Sequence, residues 1–214
     1  MLFALLGMYL LGKLRFSHDS ESSHTPVGRF FLAVISFSFA VYLLPGLWGA
    51  PLKAISAFAP PLYTQDFNLY GGEFQVFHDY DEGMRFAADK HRPVLLDFSG
   101  YACVNCRKME GAVFDTPAVR EAIERDYVMI TLMVDDKTPL PTPVIVEENG
   151  KSITLRTVGD RWSYLQRYKF GISSQPYYIL LDNEGNPLAP PRAYDENVDA
   201  FVGWLENGIA KYND

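Results

Sequence analysis

The chain has 214 residues, enough for one ordinary domain with additional segments. Its formal net charge of −7 argues against nucleic acid as a partner, because phosphate binding favours a basic surface. The charge is distributed unevenly. Residues 30–52 contain no charged side chain, whereas 24 of the 26 acidic residues lie from Lys53 onward. The chain is therefore hydrophobic at its front and acidic behind.

The first apolar segment, residues 1–12, is too short to span a bilayer as a helix. Positive charges follow this segment instead of preceding it, and no small-residue cleavage site comes after it. A signal peptide has the opposite arrangement, so it is a poor match. We interpret residues 1–12 as the end of a transmembrane helix whose beginning is missing.

The second apolar segment, residues 30–50, is predicted to be a transmembrane helix, since about 20 apolar residues cross a bilayer. A buried core helix is the alternative, but no soluble domain here is large enough to enclose it. The intervening loop, residues 13–29, carries Lys13, Arg15 and Arg29 close to the apolar segments. The distribution of Lys and Arg places this loop in the cytoplasm and everything after residue 50 on the opposite side of the membrane.

Residues 51–71 are rich in Pro and small residues and are predicted to form a linker. Residues 72–214 have the pattern of an α/β domain, with short apolar runs alternating with helical spacing. A strand, a turn at residues 183–185 and a return strand are predicted near its end. A hairpin is predicted to turn at Asn149–Gly150, a dipeptide that favours positive φ angles. The predicted order is β-α-β-α-α-β-hairpin-α-β-β-α, with elements within residues 73–78, 80–92, 93–98, 103–110, 115–126, 127–135, 136–157, 160–171, 176–190 and 195–212.

The two cysteines of the chain, Cys103 and Cys106, allow three interpretations. A structural disulfide that closes a loop of about four residues contributes roughly 2 kcal/mol at best, so a purely structural role is weakly supported. A structural zinc site needs four ligands, and this motif supplies two. A copper carrier with two thiolates and one histidine stays open, with His78 or His91 as the third ligand.

A redox pair fits the surrounding pattern best. Cys103 comes where a buried strand ends and a helix begins, and the unpaired N–H groups and dipole of a helix start favour a thiolate. Cys106 lies one turn further on, in position to attack a mixed disulfide. A C-x-x-C motif next to a β-α-β pattern is much more specific than the tetrapeptide alone.

The segments "PVLLDFSGYACVNCRKME" and "GISSQPYYILLDNEG" resemble thioredoxins. They are more similar still to the C-terminal periplasmic domain of DsbD-type transmembrane disulfide reductases. The resemblance covers about residues 72–213 and implies a thioredoxin fold, a central mixed sheet flanked by helices, here with an inserted hairpin. Full-length members carry a membrane domain ahead of this one, so the two apolar segments resemble its last helices.

The resemblance also implies roles for individual residues. Cys103 matches the attacking cysteine and Cys106 the resolving one. Asp97 matches the buried acid of thioredoxins, which accepts the proton of the resolving cysteine and needs a raised pKa for that; the alternative is a solvated Asp at a strand end. Glu110, four residues after Cys106, matches an acidic position of the DsbD domain, and an ordinary solvated Glu is the alternative.

Pro176 matches the cis-proline beside the active site, where the preceding backbone of Gln175 can pair with an incoming chain as an extra strand. Tyr101 stands at the rim of the site, where thioredoxins commonly have an acid-aromatic pair, and is assigned to partner binding. The pair Val104–Asn105 replaces the Gly-Pro of thioredoxin, so the direction of electron flow cannot be deduced from it.

Together these features predict a thiol–disulfide oxidoreductase in the inner membrane with its thioredoxin-like domain in the periplasm. The expected partners are periplasmic disulfide-bearing proteins, an upstream membrane electron donor and the lipid bilayer. No metal or organic cofactor is implied. The alternatives are a tethered reductase dedicated to cytochrome c maturation and, in another class, the copper-delivery module.

Overall fold

The computed structural model of the chain describes residues 1–17, 19, 24–48, 52, 55, 75–148 and 150–214. Most of the predicted linker, the start of the first predicted strand and Asn149 of the predicted hairpin turn lie outside these residues. The chain divides into two units, an N-terminal one and a larger C-terminal one.

The N-terminal unit contains two apolar helices. Helix α1 is Leu2–Leu10, and helix α2 is Val27–Leu43, followed by a short 3-10 turn over Pro45–Trp48. Helix α2 begins three residues before the predicted segment, and its α-helical part gives way to the 3-10 turn at Pro45, whose nitrogen has no N–H group to donate to the preceding turn. Within the described part of the chain, one segment is long and apolar enough to cross a membrane: Val27–Leu47, 21 residues with a mean hydropathy of 2.1.

The C-terminal unit contains the remaining described elements. Its strands are β1 (Val76–Phe77), β2 (Val94–Ser99), β3 (Val128–Met133), β4 (Pro139–Glu148), β5 (Lys151–Thr157) and β6 (Tyr177–Leu181). Its helices are α3 (Tyr80–Lys90), α4 (Val104–Met109), α5 (Pro117–Asp126), α6 (Val158–Phe170) and α7 (Val198–Asn213), with a π-helical turn over Glu110–Phe114 directly after α4.

Strands β1, β3, β2 and β6 form a mixed sheet in that order. Strand β3 runs parallel to both β1 and β2, while β6 runs antiparallel to β2. The two central strands, β2 and β3, are buried along their whole length, as expected for apolar runs covered on both faces.

Side chains of the central strand β2 alternate between two hydrophobic cores. Leu96 and Phe98 pack on one face with residues of α3 and α6. Leu95 packs on the other face with residues of α4, α5 and α7, Met109 among them. Since successive side chains of a strand point to opposite faces, Asp97 shares the face of Leu95, on which the helix of the cysteine motif packs.

One local prediction was wrong. The return strand after the turn at residues 183–185 does not form; the segment makes only isolated bridges to β6, at Pro187 and Arg192. Its several prolines lack the N–H group that a strand ladder needs. Helix α5 begins at Pro117, within the predicted range, with Thr116 at its N-cap position.

The predicted inserted hairpin is formed by β4 and β5, which pair antiparallel as a separate two-stranded sheet. Gly150 has the positive φ angle, 73°, that the turn requires. The hairpin is joined to α6 by the ion pair of Arg167 with Glu148, whose nitrogen–oxygen distance is 2.7 Å. Most of its side chains are exposed.

Candidate active site

The two cysteines lie at the junction that the sequence predicts, between the end of β2 and the start of α4. They form a disulfide, with 5.2 Å between their Cα atoms. Cys103 occupies the N-cap position of α4, and its sulfur accepts a hydrogen bond from the Cys106 N–H at 3.2 Å. The backbone of the helix start therefore directs a donor at this sulfur, an arrangement that stabilises a thiolate.

The two sulfur-bearing residues differ in accessibility. Cys106 is 2% exposed and belongs to the core, whereas Cys103 is partly exposed. Next to Cys103, Tyr101 and Val104 are exposed over 54% and 46% of their surfaces. A molecule arriving from solvent therefore reaches the Cys103 side of the disulfide first, among apolar side chains.

Asp97 is buried, as predicted, with 3% of its surface exposed. Its pKa is raised from 3.8 to about 8, first by burial and then by the negative charge of Glu110, while Arg107 and a hydrogen bond with Thr131 act in the opposite direction. Within the described residues, its Oδ1 atom has no hydrogen-bond partner. The carboxyl group therefore holds a proton near neutral pH and has a free oxygen.

Glu110 is paired with a buried arginine. Its carboxylate accepts a hydrogen bond from Arg107 Nη1 at 2.7 Å, and three quarters of its side-chain surface is covered. Burial raises the pKa of Glu110 to about 7, against the opposing effect of Arg107. The alternative of an ordinary solvated Glu does not fit this environment. Its role in catalysis stays a prediction.

Arg107 itself is only 5% exposed. Besides Glu110, its guanidinium contacts the Ser99 hydroxyl at 3.5 Å and the carbonyl oxygen of Gly100 at 3.3 Å. The positive charge thus lies between the carboxyl end of β2 and the helix that follows the cysteines. Asp97, Arg107 and Glu110 form an electrostatically coupled group, which we call the buried charge cluster.

The loop between β2 and Cys103 is fixed by Asp135, which follows β3. One carboxylate oxygen accepts the N–H of Tyr101 at 2.8 Å and the other accepts the N–H of Ala102 at 2.9 Å. Glycine suits position 100 because a Cβ atom there would lie 3.2 Å from the Asp135 carboxylate, closer than an ordinary van der Waals contact. The start of the cysteine motif is therefore positioned by both β2, which leads into the loop, and the Asp135 side chain that follows β3.

Pro176 is buried, and the peptide bond from Gln175 to Pro176 is cis, as the resemblance predicts. Gln175 is partly exposed and donates its side-chain amide to Gln166 on α6 at 2.9 Å. The backbone N–H and carbonyl of Gln175 form no hydrogen bond within the described part of the chain. This segment therefore has an open main-chain donor and acceptor just before β6.

Sequence analysis missed three polar residues of this region: Arg107, Asp135 and Gln166. Arg107 lies within the cysteine motif, but its burial depends on the packing of α4 against β2. Asp135 and Gln166 bind segments distant in sequence, and nothing in their own neighbourhoods indicates those partners. The apolar run before Asp135 was the only available signal, since polar residues that follow a buried strand often line the same edge of the sheet.

The histidines considered for copper binding have other positions in the fold. The Nδ1 atom of His78 lies 3.2 Å from the Thr131 carbonyl oxygen, and His91 ends α3 in a left-handed conformation. Among the residues with described positions, no three His, Cys, Asp or Glu side chains gather where they could hold a metal ion.

A mixed sheet flanked by helices, with a cysteine pair at the start of a helix and a cis-proline ahead of a neighbouring strand, defines the class of thioredoxin-fold proteins. The chain belongs to the family of thioredoxin-like domains, whose pattern its residues 80–208 match. This match covers more than half of the chain and confirms the predicted fold class.

Similarity to DsbD-type domains is also found. Over 94 residues the chain is 32% identical to the thiol:disulfide interchange protein DsbD of Ralstonia nicotianae, a match that covers 38% of this chain and 15% of that protein. The C-terminal domain of Neisseria meningitidis DsbD in its reduced form superposes with a TM-score of 0.45, at 19% identity, over 62% of this chain and 98% of that domain. A thioredoxin from Thermus thermophilus superposes with a TM-score of 0.44, at 17% identity, over 63% and 86% of the two chains.

Proposed function

We propose that the C-terminal unit is a protein-disulfide reductase that works by thiol–disulfide exchange. The observation that carries this proposal is the asymmetry of the cysteine pair: Cys103 is accessible at the start of α4, while Cys106 is buried one turn further on. A structural disulfide needs no such asymmetry. An exchange centre needs one sulfur that meets the partner and a second that is kept for the resolving step.

The reaction starts from the dithiol form. The Cys103 thiolate attacks one sulfur of a substrate disulfide, so a Cys103–substrate bond forms, the substrate S–S bond breaks and one substrate thiolate leaves. Cys106 then attacks Cys103, forms the intramolecular disulfide and releases the second substrate thiolate. Two electrons pass to the substrate, and the two protons of the dithiol end on the released thiols.

Asp97 is proposed to accept the proton of Cys106 in the resolving step. The ionised form of Asp97 does this work: a pKa of about 8 makes that form the minority at neutral pH but a much stronger base than an ordinary Asp. Its Oδ1 atom has no other hydrogen-bond partner in the described structure. Arg107 and Glu110 set the charge around it. The negative charge of Glu110 raises the pKa of Asp97, and the positive charge of Arg107 lowers it. The two side chains together therefore set the pH at which Asp97 binds and releases the proton.

Tyr101, Gln175 and Pro176 are proposed to contact the substrate chain. Tyr101 offers an exposed aromatic ring beside Cys103, and Gln175 offers a backbone donor and acceptor that are not used within the described fold. An extended substrate segment can pair with Gln175 as an added strand while its disulfide meets Cys103.

The activity is tested by following insulin reduction with dithiothreitol as the terminal reductant, using the full chain in detergent. Wild type should accelerate the reaction, and Cys103→Ser should abolish the acceleration. Cys106→Ser should slow turnover strongly without abolishing it, because only dithiothreitol from solution can then resolve the mixed disulfide. If wild type gives no acceleration over dithiothreitol alone, or if Cys103→Ser keeps the full rate, the chain is not a disulfide reductase of this kind.

We further propose that the N-terminal unit anchors the chain in the inner membrane, with the thioredoxin-like domain in the periplasm. Val27–Leu47 has the length and hydropathy of a span, and three basic residues, Lys13, Arg15 and Arg29, precede or begin it. In this arrangement an upstream membrane protein or domain supplies electrons, and periplasmic disulfide-bearing proteins accept them.

The orientation is tested by labelling Cys103 in intact cells after mild reduction. A membrane-impermeant maleimide should label it without cell lysis if the domain is periplasmic. Labelling that requires lysis would place the domain in the cytoplasm and contradict the proposed location, while leaving the exchange reaction itself intact.

A further inference from the structure

Gln166 is a polar side chain in an apolar part of the structure. It lies in the last two turns of α6 and is completely buried, with 0% of its surface exposed. Trp162, one turn earlier on α6, is also buried and packs into the core beside the sheet. A buried primary amide is costly unless its donor and acceptor are both satisfied, so its partners explain why it is there.

Both ends of the Gln166 amide are bonded to the segment that precedes the cis-proline. Its Nε2 atom donates to the carbonyl oxygen of Ser174 at 2.8 Å, and its Oε1 atom accepts from Nε2 of Gln175 at 2.9 Å. Ser174 and Gln175 are partly exposed and belong to no helix or strand. One buried side chain thus ties this irregular segment to the rigid body of α6.

The segment matters because of the backbone groups it leaves unused. Gln175 makes no backbone hydrogen bond within the described residues, while Tyr177, two residues later, is already paired in the sheet with Phe98. A main-chain donor and acceptor held in a fixed place can pair with an incoming strand without first being ordered. Such pre-organisation reduces the entropy cost of association.

We propose that Gln166 is a positioning residue that holds Ser174 and Gln175 ready to pair with the backbone of a substrate protein. This inference rests on the proposed reductase function and deepens it. The substrate it concerns is a disulfide within an extended polypeptide, because a small disulfide has no chain to pair with Gln175. Gln166 therefore affects selectivity for protein substrates and not the exchange chemistry at Cys103.

The test compares the turnover of two oxidants by the full chain in detergent, with dithiothreitol as the terminal reductant and its direct reaction subtracted: insulin, a protein disulfide, and oxidised glutathione, a small one. Gln166→Met keeps the length of the side chain but removes both hydrogen bonds. It should raise the KM for insulin about tenfold, the effect expected for the loss of two ordinary hydrogen bonds. The kcat for insulin and the rate with oxidised glutathione should stay within about twofold of wild type.

Two further variants separate positioning from general damage. Gln175→Ala removes the side-chain donor to Gln166 Oε1 and keeps the bond from Gln166 to Ser174, so it should raise the KM for insulin by about threefold. Ile123→Val removes one buried methyl group from α5, away from this segment. It should leave the KM for insulin unchanged although it destabilises the core.

An unchanged KM for insulin in Gln166→Met would overturn the inference, as would equal losses with insulin and oxidised glutathione or a matching rise of KM in Ile123→Val. If Gln166→Met does not fold, Gln175→Ala decides: it removes one of the two bonds from the partly exposed side, and an unchanged KM rejects the inference. A wild-type chain that reduces neither oxidant would instead reject the proposed function.

Discussion

Replacing Asp97 by Asn should stabilise the oxidised protein, and the gain should depend on pH. The folded state holds the Asp97 proton up to a pKa of about 8, whereas the unfolded chain releases it near 3.8. Between these values the folded state binds more protons than the unfolded state, so the free energy of unfolding falls as the pH rises. Asn cannot ionise in either state and does not have this pH dependence.

The size of the effect follows from the two pKa values at 1.36 kcal/mol for each pKa unit. The variant should be more stable than wild type by about 2 kcal/mol at pH 5 and by about 4 kcal/mol at pH 7, levelling near 6 kcal/mol above pH 8. Since Asp97 is 3% exposed, solvent screening does not reduce this estimate much.

The measurement is urea unfolding of the oxidised full chain in detergent at pH 5, 7 and 9, followed by tryptophan fluorescence, to which the buried Trp162 and Trp204 contribute. Asp89→Asn, on the exposed side of α3, serves as the matched control and should differ from wild type by less than about 0.5 kcal/mol. A stability difference for Asp97→Asn that is absent, negative or independent of pH would refute the assigned environment of Asp97.

Three further predictions concern the neighbours of the cysteine motif. Glu110→Gln removes a negative charge that raises the pKa of Asp97. The midpoint of the Asp97 carboxyl titration, followed by carbon-13 NMR, should therefore fall below about 8. An unchanged midpoint would show that the two carboxyl groups do not interact. Arg107→Met leaves the buried Glu110 carboxylate without its partner and should lower the free energy of unfolding by about 3 kcal/mol. The control, Arg161→Met at an exposed ion pair, should lower it by less than about 1 kcal/mol. Equal losses in the two variants would contradict the buried charge cluster. In Asp135→Asn the side chain has one acceptor oxygen, so it can bind only one of the two N–H groups. Amide hydrogen exchange of Tyr101 or Ala102 should therefore accelerate about tenfold. Unchanged exchange at both residues would show that Asp135 does not hold the loop.

The sequence was most informative where one local pattern decides the structure. The apolar run around Asp97 predicts a buried strand, and a carboxyl inside such a run is buried with it. The position of Cys103 at the start of a helix follows from the strand before it and the helical spacing after it. The cis bond before Pro176, by contrast, was expected only because of the resemblance to thioredoxins.

The features that were missed depend on contacts between distant parts of the chain. Asp135 is fixed against Tyr101 by the pairing of β2 with β3, and Gln166 against Ser174 by the packing of α6 on one face of the sheet. Arg107 resembles any basic residue on a helix until α4 is placed against the carboxyl end of β2. The absent return strand shows the opposite error, since its prolines were visible in the sequence but were given too little weight.

The central claim is that the accessible sulfur of Cys103 exchanges electrons with the disulfide of another protein. The most direct measurement is mass spectrometry of reduced Cys106→Ser after mixing with insulin. We expect a mixed disulfide with one insulin chain attached at Cys103, stable until dithiothreitol is added, and a much slower adduct in Cys103→Ser. The absence of an adduct at Cys103, or equal adduct formation through Cys106 in Cys103→Ser, would contradict the claim.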